Sequence, residues 1–123
     1  MASVRAVNTK PELAVRRLVH GLGYRYRLHG RRLPGKPDLV FPERWKVIFV
    51  HGCFWHRHKG CALARIPKSR SDFWRQKLEG NAKRDARNIR LLRGEGWGVM
   101  VVWECQIKKT ARLTTRIRRI LDA

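Results

Sequence analysis

The segment HGCFWHRHKGC, residues 51–61, places three histidines and two cysteines within eleven positions. Cys53, His58 and Cys61 are soft or borderline metal ligands, and a closed tetrahedral zinc site needs a fourth. Cys105 supplies it if the two apolar runs that precede Cys53 and Cys105 are neighbouring strands. The plainer reading makes these cysteines small core residues that lie near histidines. His51 and His56 are left for chemistry, since an imidazole near its free pKa can take a proton from water and return one to a leaving oxygen. Asp38, in GKPDLVF, suits either Mg²⁺ held beside a scissile phosphate or an ordinary turn hydrogen bond. Phe54 and Trp55 form an aromatic pair between a candidate ligand and a candidate base. They suit a wedge between base pairs or a lid over the metal. Asn81 and Asp85, four apart on a predicted helix, share a polar face that can orient a histidine or a water, or equally cap internal loops.

The whole chain favours a polyanionic partner. Its 123 residues leave room for one domain, and 29 Lys+Arg against 9 Asp+Glu give a formal charge of +20. With 43% hydrophobic residues, charge and core coexist, which argues against a disordered basic tail. Such a charge repels itself unless a polyanion binds, so nucleic acid comes before an anionic membrane surface or a ribosomal location. No apolar stretch is long enough to span a bilayer, and no signal peptide is evident. Three cysteines suit metal binding in a reducing cytoplasm better than a disulfide framework.

The elements that position these residues read as a small α/β domain. Thr9 and Glu12 have capping-box spacing, and Ala14, Val15, Leu18, Val19 and Leu22 predict a helix over about 10–22. YRYRLHG alternates aromatic and basic residues like a short strand. WKVIFV (45–50) and GVMVVW (98–103) read as strands buried on both faces. A long helix is expected from about Asp72 to Arg93, capped by Ser71, with Phe73, Trp74, Leu78, Ala82, Ala86, Ile89 and Leu92 on its apolar face. An amphipathic helix near 110–121 closes the chain.

A helix bearing Glu12, a Pro-Asp at a strand start and a following apolar strand resemble the restriction-endonuclease core. The acid and lysine usual on the next strand are replaced here by Val50-His51-Gly52. The runs NTKPELAVRRL, LPGKPDLVFP, VIFVHGCFWHRHKGC, PKSRSDFW, NAKRDARN and GWGVMVVWEC resemble the very short patch repair (Vsr) DNA mismatch endonucleases over more than 80% of the chain.

That resemblance implies a restriction-endonuclease-like three-layer core: a central mixed sheet, helices on both sides and a structural zinc. It implies Asp38 as the Mg²⁺-coordinating catalytic aspartate, with the Val50 backbone carbonyl as a second Mg²⁺ ligand. His51 and His56 match the active-site histidines, and Glu12 and Asp85 the acids that support hydrated magnesium and the histidine network. Cys53, His58, Cys61 and Cys105 match the Zn²⁺ ligands. Phe54 and Trp55, with Met1, match the DNA wedge. The implied activity is Mg²⁺-dependent nicking of double-stranded DNA 5′ to the thymine of a T·G mismatch, the lesion left by deamination of 5-methylcytosine. The implied setting is a monomer at the bacterial nucleoid, in the cytoplasm, in contact with mismatch-repair proteins.

Three differences from relatives carry expectations. Relatives have about a dozen residues before the position of Met1, so mismatch grip is expected to be weaker here. Gly60 lengthens the loop between His58 and Cys61, and its backbone freedom is expected to keep the zinc site. Val50 replaces a threonine and retains the carbonyl. Two alternatives stay open: a related nicking or restriction-type enzyme with another target, and a non-catalytic zinc-containing DNA-binding module.

Overall fold

The computed structural model describes residues 8–123. Met1 and the rest of the basic N-terminal segment lie outside the described residues, as does any part they play in the wedge. The elements run α1 (Lys10–Gly21), β1 (Arg27–Leu28), β2 (Leu39–Phe41), β3 (Lys46–His51), α2 (Ser71–Gly94), β4 (Gly98–Trp103) and α3 (Thr110–Leu121).

The strands form one mixed sheet in the order β1-β2-β3-β4, antiparallel until β3 and β4, which pair in parallel from Lys46↔Gly98 to His51↔Trp103. Side-chain alternation along the strands divides the core. Leu39, Phe41, Ile48, Met100 and Val102 meet Val15 and Val19 of α1 and Leu113, Ile117 and Leu121 of α3. Val40, Val47 and Phe49 face Leu92 and Ile89 of α2 on the other side. The result is three layers, helix–sheet–helix, as expected for strands apolar on both faces.

Parallel pairing of β3 and β4 has the decisive consequence. Both strands end at the same edge of the sheet, so the loops carrying residues 52–61 and 104–106 meet there.

Several boundaries differ from the expectations. Trp45 is not in β3: it sits at φ 55° after a 3₁₀ turn over Pro42–Arg44 and is 55% exposed against Trp97, while the strand runs one residue further, to His51. Only Arg27 and Leu28 of YRYRLHG pair as a strand. Thr9 caps α1 by accepting from the Glu12 N–H at 3.3 Å, but the Glu12 side chain turns elsewhere and leaves the reciprocal half of the box unmade. Ser71 is the first residue of α2 rather than its cap; Arg70, at φ 55°, precedes it without a side-chain capping bond. Phe73 is 46% exposed, so the buried stripe of α2 is narrower than its apolar spacing implied.

Candidate active site and metal centre

Asp38 stands where the β2–β3 ladder opens. Continuing the register of Leu39↔Ile48 sets Pro37 opposite Val50, and proline has no N–H to pair with the Val50 carbonyl. The Val50 N–H is satisfied instead by Asp38 Oδ2 at 2.6 Å. The tight LPGKPD approach needs Gly35, at φ 74°, because a Cβ there would lie 3.0 Å from Cβ of Asn88 on α2 and 3.1 Å from the Phe49 ring. Burial raises the Asp38 carboxyl to about 6, against the Val50 hydrogen bond and the Arg16 charge, which both pull it down.

His51 and His56 come together with Asp85. The two rings stack 3.8 Å apart and 4° from parallel. His56 Nδ1 lies 2.5 Å from Asp85 Oδ2, which brings a carboxylate from α2 to a loop that begins at the end of β3. On the same helix, Asn81 donates to the Trp55 carbonyl at 3.1 Å. The Asn81/Asp85 face thus holds the loop at two points. His51 is 4% exposed, and burial, with the His56 charge next, pushes its pKa down to about 4. Its ring is neutral near pH 7, and its Nδ1 is buried with no partner among the described residues.

Four soft donors converge beside this pair. One ligand atom each from Cys53, His58, Cys61 and Cys105 lies within 4.8 Å of the others. Cys53 Sγ and Cys105 Sγ are 3.6 and 3.5 Å from His58 Nδ1. Zinc–sulfur and zinc–nitrogen bonds of ordinary length at a tetrahedral angle put such atoms roughly 3.6 Å apart, so the donor set fits zinc. Burial pushes the Cys53 thiol up to about 12, whereas the Leu63 backbone pulls the Cys61 thiol below its ordinary value. The loop is shaped to this end: His58 N–H donates to Cys53 O at 2.9 Å and His56 N–H to Gly52 O at 3.1 Å. Arg57 takes φ 54° and Gly60 φ 72°. Gly60 supplies the bend its presence predicted. The Trp103 ring stacks on His58 at 4.1 Å and 7°.

Phe54 and Trp55 are half-buried, not freely exposed. They form a cluster with Trp74, at ring distances of 5.5 and 5.9 Å. Trp74, which helical periodicity assigned to the core stripe, packs instead on this aromatic pair; nothing local in the sequence separates the two placements. Glu12 is not part of the His56–Asp85 pair. It is 2% exposed, in a separate cluster with Arg16 and His29. His29 carried no signal beyond being a lone histidine in a Gly/Pro-rich stretch.

The assembled groups can hydrolyse a phosphodiester. Asp38 offers an oxygen donor beside the Val50 backbone, a carboxylate orients the His56 ring, and the loop that carries the converging Cys/His donors also carries His56 and the aromatic pair.

Comparison with known proteins agrees. The family profile described as "DNA mismatch endonuclease Vsr" matches residues 1–63. The chain is 54% identical over 122 residues to the Type II nicking enzyme V.XorIIP of Xanthomonas oryzae pv. oryzae, covering 99% of this chain and 89% of that protein. It is 42% identical to the Type II nicking enzyme V.NmeAIP of Neisseria meningitidis over all of this chain and 90% of the relative. It is 40% identical to the DNA mismatch endonuclease Vsr of Escherichia coli K12 over 93% of this chain and 72% of that protein. Such identity along nearly the whole chain places it in the Vsr family of DNA mismatch endonucleases, as an endodeoxyribonuclease.

Proposed function

We propose that the protein nicks one strand of double-stranded DNA on the 5′ side of the thymine of a T·G mismatch, with Mg²⁺ as catalytic cofactor and zinc as structural support. The observation that carries this reading is the His56–Asp85 pair, stacked on a neutral His51 and mounted on the same loop as the Phe54/Trp55 pair. A base and a wedge on one stiff loop make hydrolysis conditional on distortion of the duplex. The relatives named as a mismatch endonuclease and as nicking enzymes support strand scission at a mismatch. The helix–sheet–helix layering and the Asp38 position support a restriction-endonuclease-like core.

The mechanism follows from protonation and geometry. With Nδ1 donating to Asp85, the lone pair of His56 is on Nε2, which takes a proton from the attacking water. Asp85 stabilises the imidazolium that results. His51 remains neutral, so that imidazolium meets no like charge from the stacked ring. The Asp38 carboxylate and the Val50 carbonyl would hold Mg²⁺, which when bound offsets the charge that develops on phosphorus-bound oxygens. Cys53, His58, Cys61 and Cys105 would hold zinc, whose charge favours the thiolates and whose bonds fix the loop. One catalytic set per chain suits a monomer that cuts one strand.

Single-turnover cleavage of end-labelled duplexes tests the reading. T·G, other mismatches and paired controls are compared with Mg²⁺ present, and the cut is mapped. A nick 5′ to the mispaired thymine, with paired duplex spared, is expected. Equal cleavage of paired duplex would move the assignment to a nicking enzyme that reads another target. No cleavage of any duplex would leave a zinc-containing DNA-binding module.

A further inference from the structure

One buried polar cluster, built around Glu12, borders the proposed magnesium site. Glu12 lies in the first turn of α1, and its Oε2 is reached both by Arg16, one turn on, and by His29 just past β1. The cluster borders the reacting carboxylate. The His29 N–H donates to the Asp38 carbonyl at 3.0 Å, and the Arg16 charge acts on the Asp38 carboxyl.

The bonding of the cluster is oversubscribed. His29 Nε2 is 2.9 Å from Glu12 Oε2 and 3.0 Å from Arg16 Nη2. A carboxylate only accepts, so the first contact needs a proton on Nε2; a guanidinium only donates, so the second needs a lone pair there. One imidazole cannot satisfy both. Burial, with the Arg16 and Arg31 charges, disfavours the charged ring of His29. Its two tautomers therefore correspond to two pairings. With the proton on Nδ1, His29 accepts from Arg16, and Glu12 is held by Arg16. With the proton on Nε2, His29 itself donates to Glu12, and Arg16 keeps only its contact with Asn8 Oδ1 at 2.7 Å. Arg16 has a further reason to move: its Nε is buried with no partner among the described residues. Glu12 has every reason to keep one, since a buried carboxylate left unpaired is strongly destabilising.

We propose that Arg16 is a phosphate-binding residue held in reserve, resting on Glu12 in the free protein and turning to a DNA phosphate beside Asp38 on binding, while His29 takes over the Glu12 carboxylate. This rests on the nuclease reading above. Guanidinium is the side chain best matched to two phosphate oxygens, and it is supplied here without leaving a buried acid bare. The exchange moves one proton from Nδ1 to solvent and one from solvent to Nε2, with no change in net charge. Arg16 is then a binding group, and His29 a positioning residue that acts through Glu12.

Nitrogen-15 spectra of the His29 ring read the tautomer directly in the zinc-loaded parent protein, with His29→Gln giving the assignment. Saturation with a short T·G duplex in magnesium-free buffer without chelator should move His29 toward the Nε2–H form. Salt titrations of duplex binding supply a second readout. Arg16→Gln should lower the salt slope by about one, the loss of one phosphate contact. His29→Leu should lock Arg16 on Glu12, lower the slope equally and weaken binding about tenfold. The double variant should be no worse than either single one. His29→Gln, whose amide can donate to Glu12, should restore the slope. A duplex that binds with the tautomer unchanged, or a His29→Leu protein with the parent's slope, overturns the proposal and leaves the nuclease reading standing. Failure of every duplex to bind overturns both.

Discussion

Asp38 carries opposite demands, and that makes it a sharp probe. Asp38→Asn preserves size and the acceptor for the Val50 N–H but removes the charge proposed to hold Mg²⁺. Single-turnover nicking of a T·G duplex should fall by several orders of magnitude, with duplex affinity and zinc content retained. Retention of nicking within about tenfold would place the metal elsewhere. The same residue affects stability in a direction that can be worked out. Its folded pKa, about 6, lies above the unfolded value of 3.8, so between these limits the folded state binds more protons. The contribution of Asp38 is fully present below pH 3.8 and is lost as pH rises through 6. His51 runs the other way: lowered from 6.5 to about 4, it costs nothing above pH 6.5 and destabilises as pH falls toward 4. The two slopes oppose each other over nearly one window. Without Mg²⁺, the parent should therefore show a flat melting temperature from pH 4 to pH 6 relative to Asp38→Asn, whose stability should climb by on the order of 2 kcal/mol across that range. Parallel curves would show that the buried carboxyl titrates normally.

At the scale of elements, the loop that carries Cys53, His58 and Cys61 joins β3, β4 and α2, and loss of the proposed zinc should be felt in all three. Cys105 is held by the 3₁₀ turn after β4, whose Gln106 accepts from the Trp103 N–H at 3.0 Å, while Glu104 accepts from Cys53 N–H at 3.2 Å. Cys105→Ser should lower zinc content from about one per chain and cost several kcal/mol, because metal binding is folding energy here. Metal analysis with thermal melts decides it; an unchanged melt at zero zinc ends the idea. The wedge belongs to the same scale. Trp55→Ala and Trp74→Ala should each reduce T·G-over-paired discrimination more than total affinity, since phosphate contacts carry the non-specific part. Binding titrations on both duplexes test this, and an unchanged ratio would make the rings structural. These elements were unequally legible in the sequence. β3, β4 and α3 followed from apolar periodicity, because burial on a known face leaves a pattern. The convergence of Cys53, His58, Cys61 and Cys105 was legible because two strand ends meet where parallel pairing puts them. The start of α2 was not, since a left-handed Arg70 carries no compositional mark and Ser71 mimics a cap. The alternation of YRYRLHG overstated β1, because a solvated basic face alternates whether or not its backbone finds a ladder. Trp74 and His29 were missed for one reason: each acquires its role only from residues distant in the chain.

Across the whole molecule, most of the nine acids are tied to partners within the chain, which shapes how the protein meets salt. Glu12, Asp38, Asp85, Glu104, Asp122 and Glu79 each bond or pair with a specific internal group. Among the described residues, only Arg16, Arg44 and Arg57 of the Lys and Arg side chains pair with an acid. Most of the +20 charge is therefore opposed by nothing within the chain, and no helix among the described residues is long and apolar enough to cross a membrane. Salt should then act with opposite signs on folding and on binding. Screening relieves self-repulsion, so the melting temperature of the free protein should rise between low and moderate NaCl. The same salt competes with counterion release, so duplex affinity should fall along a straight log–log line. With about six phosphates neutralised, the loss is roughly a thousandfold between about 50 and 200 mM. Saturating non-hydrolysable duplex at low salt should raise the melting temperature more than NaCl does, because it adds specific neutralisation to screening. Melts and binding titrations in one salt series test both limbs. A free-protein melting temperature that falls with salt would mean that the surface charges are paired in ways the ion pairs described here do not show. A shallow binding slope would mean that the duplex is gripped through its bases rather than its backbone.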